Sequence, residues 1–174
     1  GLVLPPRLAP TQVIVVPIFK ENERDQVVAA MNRIVETLSP LVRIKGDGRD
    51  GLRPGFKFNE WEMKGVPLRL EVGPRDLAAG QVTAARRLAR EGVAAKQTIP
   101  IASLADVVPA LLEEIQTDLY DQALARREAN TRPVESYEEF RSVGEEQGGF
   151  LMGHWCGAAA CAAQVQEETM ATIR

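Results

Sequence analysis

Residues 12–45 hold the pattern that most narrows the fold: a short apolar run, an amphipathic helix, then a second apolar run. QVIVVPIF (12–19) is β-branched and apolar, as a buried strand requires. Beyond the polar ENERDQ, Val27, Met31, Ile34, Val35 and Leu38 recur at helical spacing. Ser39 and Pro40 then stop the helix, because proline lacks the donor that the next turn needs. LVRIK (41–45) predicts a second strand. Strand, helix and strand in so short a stretch form a β-α-β unit, whose crossover makes the two strands parallel. An α/β sheet is therefore expected.

Around this unit the chain divides by its punctuation. The opening GLVLPPRLAP carries three prolines and reads as a linker over 1–10, entering from something upstream. GDGRDGLRPG (46–55), with four glycines and a proline, is a flexible connection. FKFNEWEMKG suits a short helix that places Phe58 and Glu62 on one face at i and i+4. VPLRLEV (66–72) alternates as a strand does, and GPRD turns the chain. QVTAARRLAR (81–90) is open between helix, by its alanines and arginines, and strand, by its alternation. From Leu104 to about Asn130 a long amphipathic helix is expected, with Pro109 in its first turns and Thr131-Arg132-Pro133 ending it. A second unit follows: a helix opened by a Ser136–Glu139 capping box, a strand in GGFLMGHWC and a helix in GAAACAAQVQEETM. It is too small to build a sufficient core unaided, so it docks, binds metal or continues past Arg174.

Composition narrows the function. Hydrophobic residues make up 45% and charged residues 26%, which excludes a disordered chain. No apolar run approaches the roughly 20 residues that span a bilayer, and the first residues lack a signal-peptide pattern. A cytoplasmic, membrane-free protein is expected. The net charge of −3 argues against binding nucleic acid through bulk positive charge. Its distribution is uneven, however: residues 43–98 carry a net of +5 and residues 99–174 a net of −8. A basic middle beside an acidic tail suggests one face that meets a polyanion and another that repels it; scattered surface charge is the alternative.

Several motifs invite chemistry. Cys156 and Cys161 have a spacing used in zinc sites, but no second pair completes a tetrahedron, and buried thiols are the plainer reading. His154 and Cys156 would share one face of a strand and suggest a nucleophilic pair, yet no orienting third residue or oxyanion loop accompanies them. The glycines at 46, 48, 51 and 55 form neither a phosphate loop of the Gly-Lys-Ser/Thr type nor a dinucleotide fingerprint. Segment 56–75 carries the most chemistry. Phe56, Phe58 and Trp61 offer faces on which unstacked bases lie, while Lys57, Lys64, Arg69 and Arg75 offer donors. Glu62 can accept from the Watson–Crick edge of guanine. Aromatics in a core, with solvated charges around them, are the alternative.

The string GFKFNEWEMKGVPLRLEVGPRDL (55–77) resembles the anticodon-binding domain shared by several class II aminoacyl-tRNA synthetases. Within them it is most similar to prolyl-tRNA synthetases of the archaeal and eukaryotic type. The opening GLVLPPRLAPTQVIVVPI resembles that family's junction leaving the catalytic domain, and GHWCGAAACAAQVQEETMATIR the first part of its zinc-binding C-terminal domain. The resemblance implies an α/β fold with a mixed five-stranded sheet flanked by helices over 11–131. It also implies a small, truncated α/β C-terminal domain over 132–174, and it favours strand over helix at 81–90. It implies recognition of the second and third anticodon bases of proline tRNA, both guanine. Phe58 would stack, Glu62 and Arg69 would read base edges, and Arg75 and Lys96 would make further anticodon contacts. Some members carry lysine where Arg75 stands, which lacks arginine's bidentate fork. No catalytic residue is implied here: ATP, magnesium and the joining of proline to tRNA belong to an upstream catalytic domain in a homodimeric parent. Cys156 and Cys161 match the first of two cysteine pairs, half of a zinc site. An interaction module on the same fold, binding a protein or duplex DNA, is the reading from another class.

Overall fold

Strand, helix and strand form where the apolar periodicity places them, and the rest of the sheet grows around the first strand. The computed structural model describes residues 2–88, 92 and 94–173. It separates into two units, Gly1–Leu119 and Tyr120–Arg174.

In the first unit β1 (Val13–Pro17) is buried throughout. It lies between β2 (Ile44–Gly46) and β3 (Leu68–Val72), parallel to both. β4 (Gln81–Arg86) runs antiparallel to β3, and β5 (Lys96–Pro100) antiparallel to β4. The order β2-β1-β3-β4-β5 is the mixed five-stranded sheet that the resemblance implied. Four helices flank it: α1 (Arg24–Leu38), α2 (Pro54–Met63), the short α3 (Pro74–Ala78) and the start of α4 (Leu104–Ala129). The main core lies on one face. There Val13, Val15, Leu68, Leu70 and Val72 meet Val27, Met31, Ile34 and Leu38 of α1, together with Leu104, Val108, Leu111 and Leu112 of α4. On the other face α2 packs Phe58 and Trp61 against Ile14, Val16 and Val66.

Three details depart from the expectations, and the open reading of 81–90 resolves to the strand that the resemblance favoured. β2 starts three residues late, because the N–H groups of Leu41 and Val42 turn back to the Leu38 carbonyl and extend the helix exit. GPRD is the first turn of α3 rather than a bare turn: Pro74 supplies the preset φ, and the Asp76 carboxylate accepts from the Gly73 N–H at 3.0 Å. The 81–90 stretch is strand up to Arg86, while its last two residues, Ala89 and Arg90, lie outside the described residues. Residues 2–10 pack within the first unit. Ala9 is buried, and the Arg43 guanidinium donates to the carbonyls of Pro6, Arg7 and Ala9 at 2.9–3.1 Å.

The end of α2 sets the geometry of the other face. Gly65 takes a left-handed φ of 73°, its N–H donates to the Glu62 carbonyl, and the Val66 N–H donates to the Trp61 carbonyl. This pair of bonds satisfies the last carbonyls of the helix and aims the chain into β3.

In the second unit β6 (Thr131–Pro133) pairs in parallel with β7 (Phe150–Met152), so the tripeptide expected only to end a helix also forms a strand. α5 (Tyr137–Glu146) begins as expected, with Ser136 Oγ accepting from the Glu139 N–H at 3.1 Å. The Glu139 carboxylate reaches back one residue further than a simple box, to the Glu135 N–H at 2.9 Å. α6 is Ala159–Thr169. Among the described residues of this unit, Val134 alone is buried. A segment of this size buries too little to hold a core by itself.

Candidate nucleic-acid interface

Alternation along β3 decides what the open face of the sheet carries. Leu68, Leu70 and Val72 enter the main core, so Arg69 and Glu71 point to the opposite side. The register extends that side in two rows. Arg69 lies between Ile14 on β1 and Ala85 on β4, and Ala85 in turn neighbours Lys96 on β5. Glu71 lies between Val16 and Thr83, and Thr83 neighbours Thr98. α2 roofs the Ile14–Val16 end. Toward β4 and β5 the floor is made of small residues, Ala85 and Thr83, with Thr98 exposed beside them.

Phe58, Glu62, Arg69 and Lys96 come together on this face. The Arg69 guanidinium stacks on the Phe58 ring, 4.0 Å from its centroid. Its Nη1 donates to Glu62 Oε1 at 2.7 Å and its Nε to Glu71 Oε1 at 3.1 Å. Lys96 Nζ donates to Glu71 Oε2 at 2.9 Å and stands 6.0 Å from the Phe58 centroid. Two carboxylates thus balance two cations, as charges in a partly dry site must be. Exposure divides their roles. The side chains of Arg69 and Glu71 are only 14% and 8% exposed, whereas those of Glu62 and Lys96 are 44% and 53% exposed. The outer pair can meet a ligand while the inner pair supports it. Arg87 steadies Glu62 from behind, donating from Nε to its carbonyl at 3.2 Å. Arg75 stands apart: it is exposed on α3 and makes no hydrogen bond or ion pair with the other four among the described residues.

The remaining aromatics and cations of 56–75 face other tasks. The Trp61 indole N–H donates to Asp47 Oδ2 at 2.8 Å, and Lys64 caps that ring at 4.4 Å while pairing with Glu60 at 2.6 Å. Lys57 is buried and donates to the Asp47 carbonyl at 3.0 Å. Trp61 and Lys57 therefore bind α2 to the glycine-containing loop, and Lys64 stays with Glu60 and Trp61 on α2 itself, where a nucleic-acid role had been open. Only Phe56 keeps a largely exposed ring. Asp47, itself buried, receives two hydrogen bonds from the Arg49 guanidinium, at 2.8 and 2.7 Å. That pairing, with help from Trp61, outweighs burial and lowers its pKa to about 2. Glu71 and Asp47 are the residues that sequence reasoning missed. The only signal for Glu71 is its i+2 relation to Arg69 on one strand face.

Residues 12–111 match the family model described as the anticodon binding domain. This chain belongs to that family. Over its full length it is 50% identical to a proline–tRNA ligase of Chloroflexus aggregans and 50% identical to another of Roseiflexus castenholzii, covering 36% of each. The chain thus spans about a third of the length of the curated relatives it matches. A crystal structure of the prolyl-tRNA synthetase of Cryptosporidium parvum, complexed with L-proline and AMP, superposes with a TM-score of 0.82 at 36% identity. That match covers 98% of this chain and 34% of the other. Among the described residues, no helix is long and apolar enough to cross a membrane.

Cys156 and Cys161 lie outside the region matched to the anticodon-binding domain. Both are exposed rather than buried. The neighbouring Ala158 N–H and Cys161 thiol lower the pKa of Cys156, and Cys156 in turn raises that of Cys161. The described residues include no group of three or more His, Cys, Asp or Glu side chains placed to hold a metal. A structural zinc needs four such donors, so the two thiols do not make a zinc site by themselves. His154 and Cys156 follow β7 rather than lying in it, which removes the strand geometry that would place both on one face.

Proposed function

We propose that this chain is the anticodon-reading part of a proline–tRNA ligase and that the face built by Phe58, Glu62, Arg69 and Lys96 binds the anticodon loop of proline tRNA. The observation that carries the reading is the half-exposed Glu62 carboxylate, held by Arg69 beside an aromatic ring. Guanine presents two donors, N1–H and N2–H, on its Watson–Crick edge. A fixed carboxylate accepts from both, whereas adenine offers an acceptor at N1 and is rejected. Such a contact discriminates by about 1–3 kcal/mol. Phe58 gives the base an apolar edge to pack on, Lys96 supplies a donor from the far strand, and Arg75 reaches a neighbouring nucleotide or phosphate. The names of the relatives support the choice of tRNA.

On this reading the chain itself carries no chemical step. Proline activation with ATP and magnesium belongs to a catalytic domain of the same enzyme, which works as a dimer in the cytoplasm. The test is binding of an unmodified proline tRNA transcript at fixed moderate salt, beside a copy with both anticodon guanines replaced. Roughly tenfold preference, or about 1.4 kcal/mol, is expected. Equal affinity for the two overturns the reading and favours a module that binds a protein or duplex DNA.

A further inference from the structure

Glu71 has no place in the base contacts just described, yet it is the most buried charge on the open face. Its two oxygens are divided between two strands. Oε1 accepts from Arg69 on its own strand, from Nε at 3.1 Å and Nη2 at 3.0 Å, and Oε2 accepts from Lys96 on β5 at 2.9 Å. β4 lies between the two strands. Neighbouring strands are about 4.8 Å apart, so Lys96 must reach back across roughly 10 Å of sheet to meet this carboxylate. The small Ala85, which neighbours both Arg69 and Lys96 in the register, leaves the way open. Both oxygens of Glu71 are thus spent on cations of the RNA face.

We infer that Glu71 is a positioning residue for anticodon recognition: its buried carboxylate clamps Arg69 under Phe58 and holds Lys96 across β4, so that Glu62 and Lys96 are preset for single-stranded RNA. The inference rests on the anticodon-reading proposal and adds the group that fixes the site before the ligand arrives. Without Glu71 the cluster would change from neutral to a net charge of +1. Arg69 and Lys96 would then repel each other, and Arg69 would keep only Glu62 as counter-ion. A ligand would meet side chains that must be ordered at its own cost, which lowers affinity and selectivity together.

The test compares wild type with Glu71→Gln, which keeps the shape and removes the charge. Each binds proline tRNA and its guanine-replaced copy, and Lys96→Met is introduced into both backgrounds. Glu71→Gln is expected to reduce the preference for the guanine transcript by roughly fivefold or more. Lys96→Met is expected to weaken binding much less in that background than in wild type, because Lys96 is no longer held. Should Glu71→Gln fail to fold, Glu71→Asp withdraws the carboxylate by one methylene, and a partial loss of preference is expected. Unchanged preference in the folded variant, or a lower melting temperature with preference intact, assigns Glu71 a purely structural role and overturns the inference. An equal cost of Lys96→Met in both backgrounds overturns it too. In either case a wild type that still prefers guanine leaves the anticodon reading standing, whereas a wild type without preference removes both.

Discussion

Glu62 and Asp47 show how two carboxylates on neighbouring elements take opposite roles. Glu62 is half exposed and held by one guanidinium, so it keeps acceptor capacity for a ligand. Glu62→Ala is expected to weaken binding of proline tRNA by about 1–3 kcal/mol while hardly changing binding of a tRNA with other anticodon bases. Equal loss for both RNAs, read by fluorescence anisotropy, would remove Glu62 as a base reader. Asp47 is spent entirely inward, on Arg49, Trp61 and the loop that carries α2. Its pKa falls from 3.8 to about 2, so its contribution is complete above about pH 4 and is lost as pH falls toward 2. Asp47→Asn is therefore expected to cost roughly 2 kcal/mol at pH 7. The gap to wild type in urea unfolding should narrow below pH 4; a gap that stays constant down to pH 2.5 would exclude the ion pair as its source. Phe58 and Glu62 were legible in the sequence because helical spacing alone puts them on one face. Asp47 and Glu71 were not, since nothing local in the chain announces that a carboxylate will be buried against cations from other elements.

At the scale of elements, legibility follows how much of the fold is written in local pattern. β1, α1 and β3 carry strong apolar periodicity and appear close to where it puts them. β5 reads KQTIP, with Ile99 as its only buried residue. An edge strand of this kind is fixed by pairing with β4 rather than by its own pattern, so it entered the expectation only through family resemblance. β6 was not expected at all: its three residues gain strand character only from pairing with β7. The junction between α2 and β3 is the most exacting element boundary, because it aims Phe58 and Glu62. Gly65→Ala would force a side chain into a left-handed conformation and set its Cβ 2.9 Å from Leu2 Cγ. A loss of roughly 1–2 kcal/mol is expected from the backbone alone. A drop in melting temperature with weaker RNA binding would bear this out, whereas a neutral substitution would show that the helix end relaxes freely.

At the scale of the whole molecule, the distribution of charge and donors decides what the chain binds. Purified protein is expected to carry well under one zinc per chain, because the described residues place no further donors beside the two thiols, which leaves the coordination shell half empty. Stoichiometric metal in elemental analysis would overturn that expectation. The basic middle leads to a sharper prediction. Its net of +5 over residues 43–98 suggests strong, salt-sensitive attraction to RNA, but most of its cations are already engaged. Arg43 holds backbone carbonyls, Arg49 and Lys57 serve Asp47, and Lys64 pairs with Glu60. Arg69 and Lys96 pair with Glu71, while Arg86 is bound by Glu114 and Asp118. Arg87 leans on a carbonyl of α2. Among the described residues of this stretch, Lys45, Arg53 and Arg75 alone are exposed cations without a hydrogen-bonding or ionic partner. About three phosphates neutralised by such cations give a slope of roughly −2 in a plot of log affinity against log salt, at about −0.7 per phosphate for single strands. The preference for guanine should persist across the same salt series, because contacts to base edges release no counterions. A slope steeper than about −5, with preference vanishing as salt rises, would mean that the network of ion pairs opens on binding and that attraction to the backbone, rather than Glu62, selects the RNA.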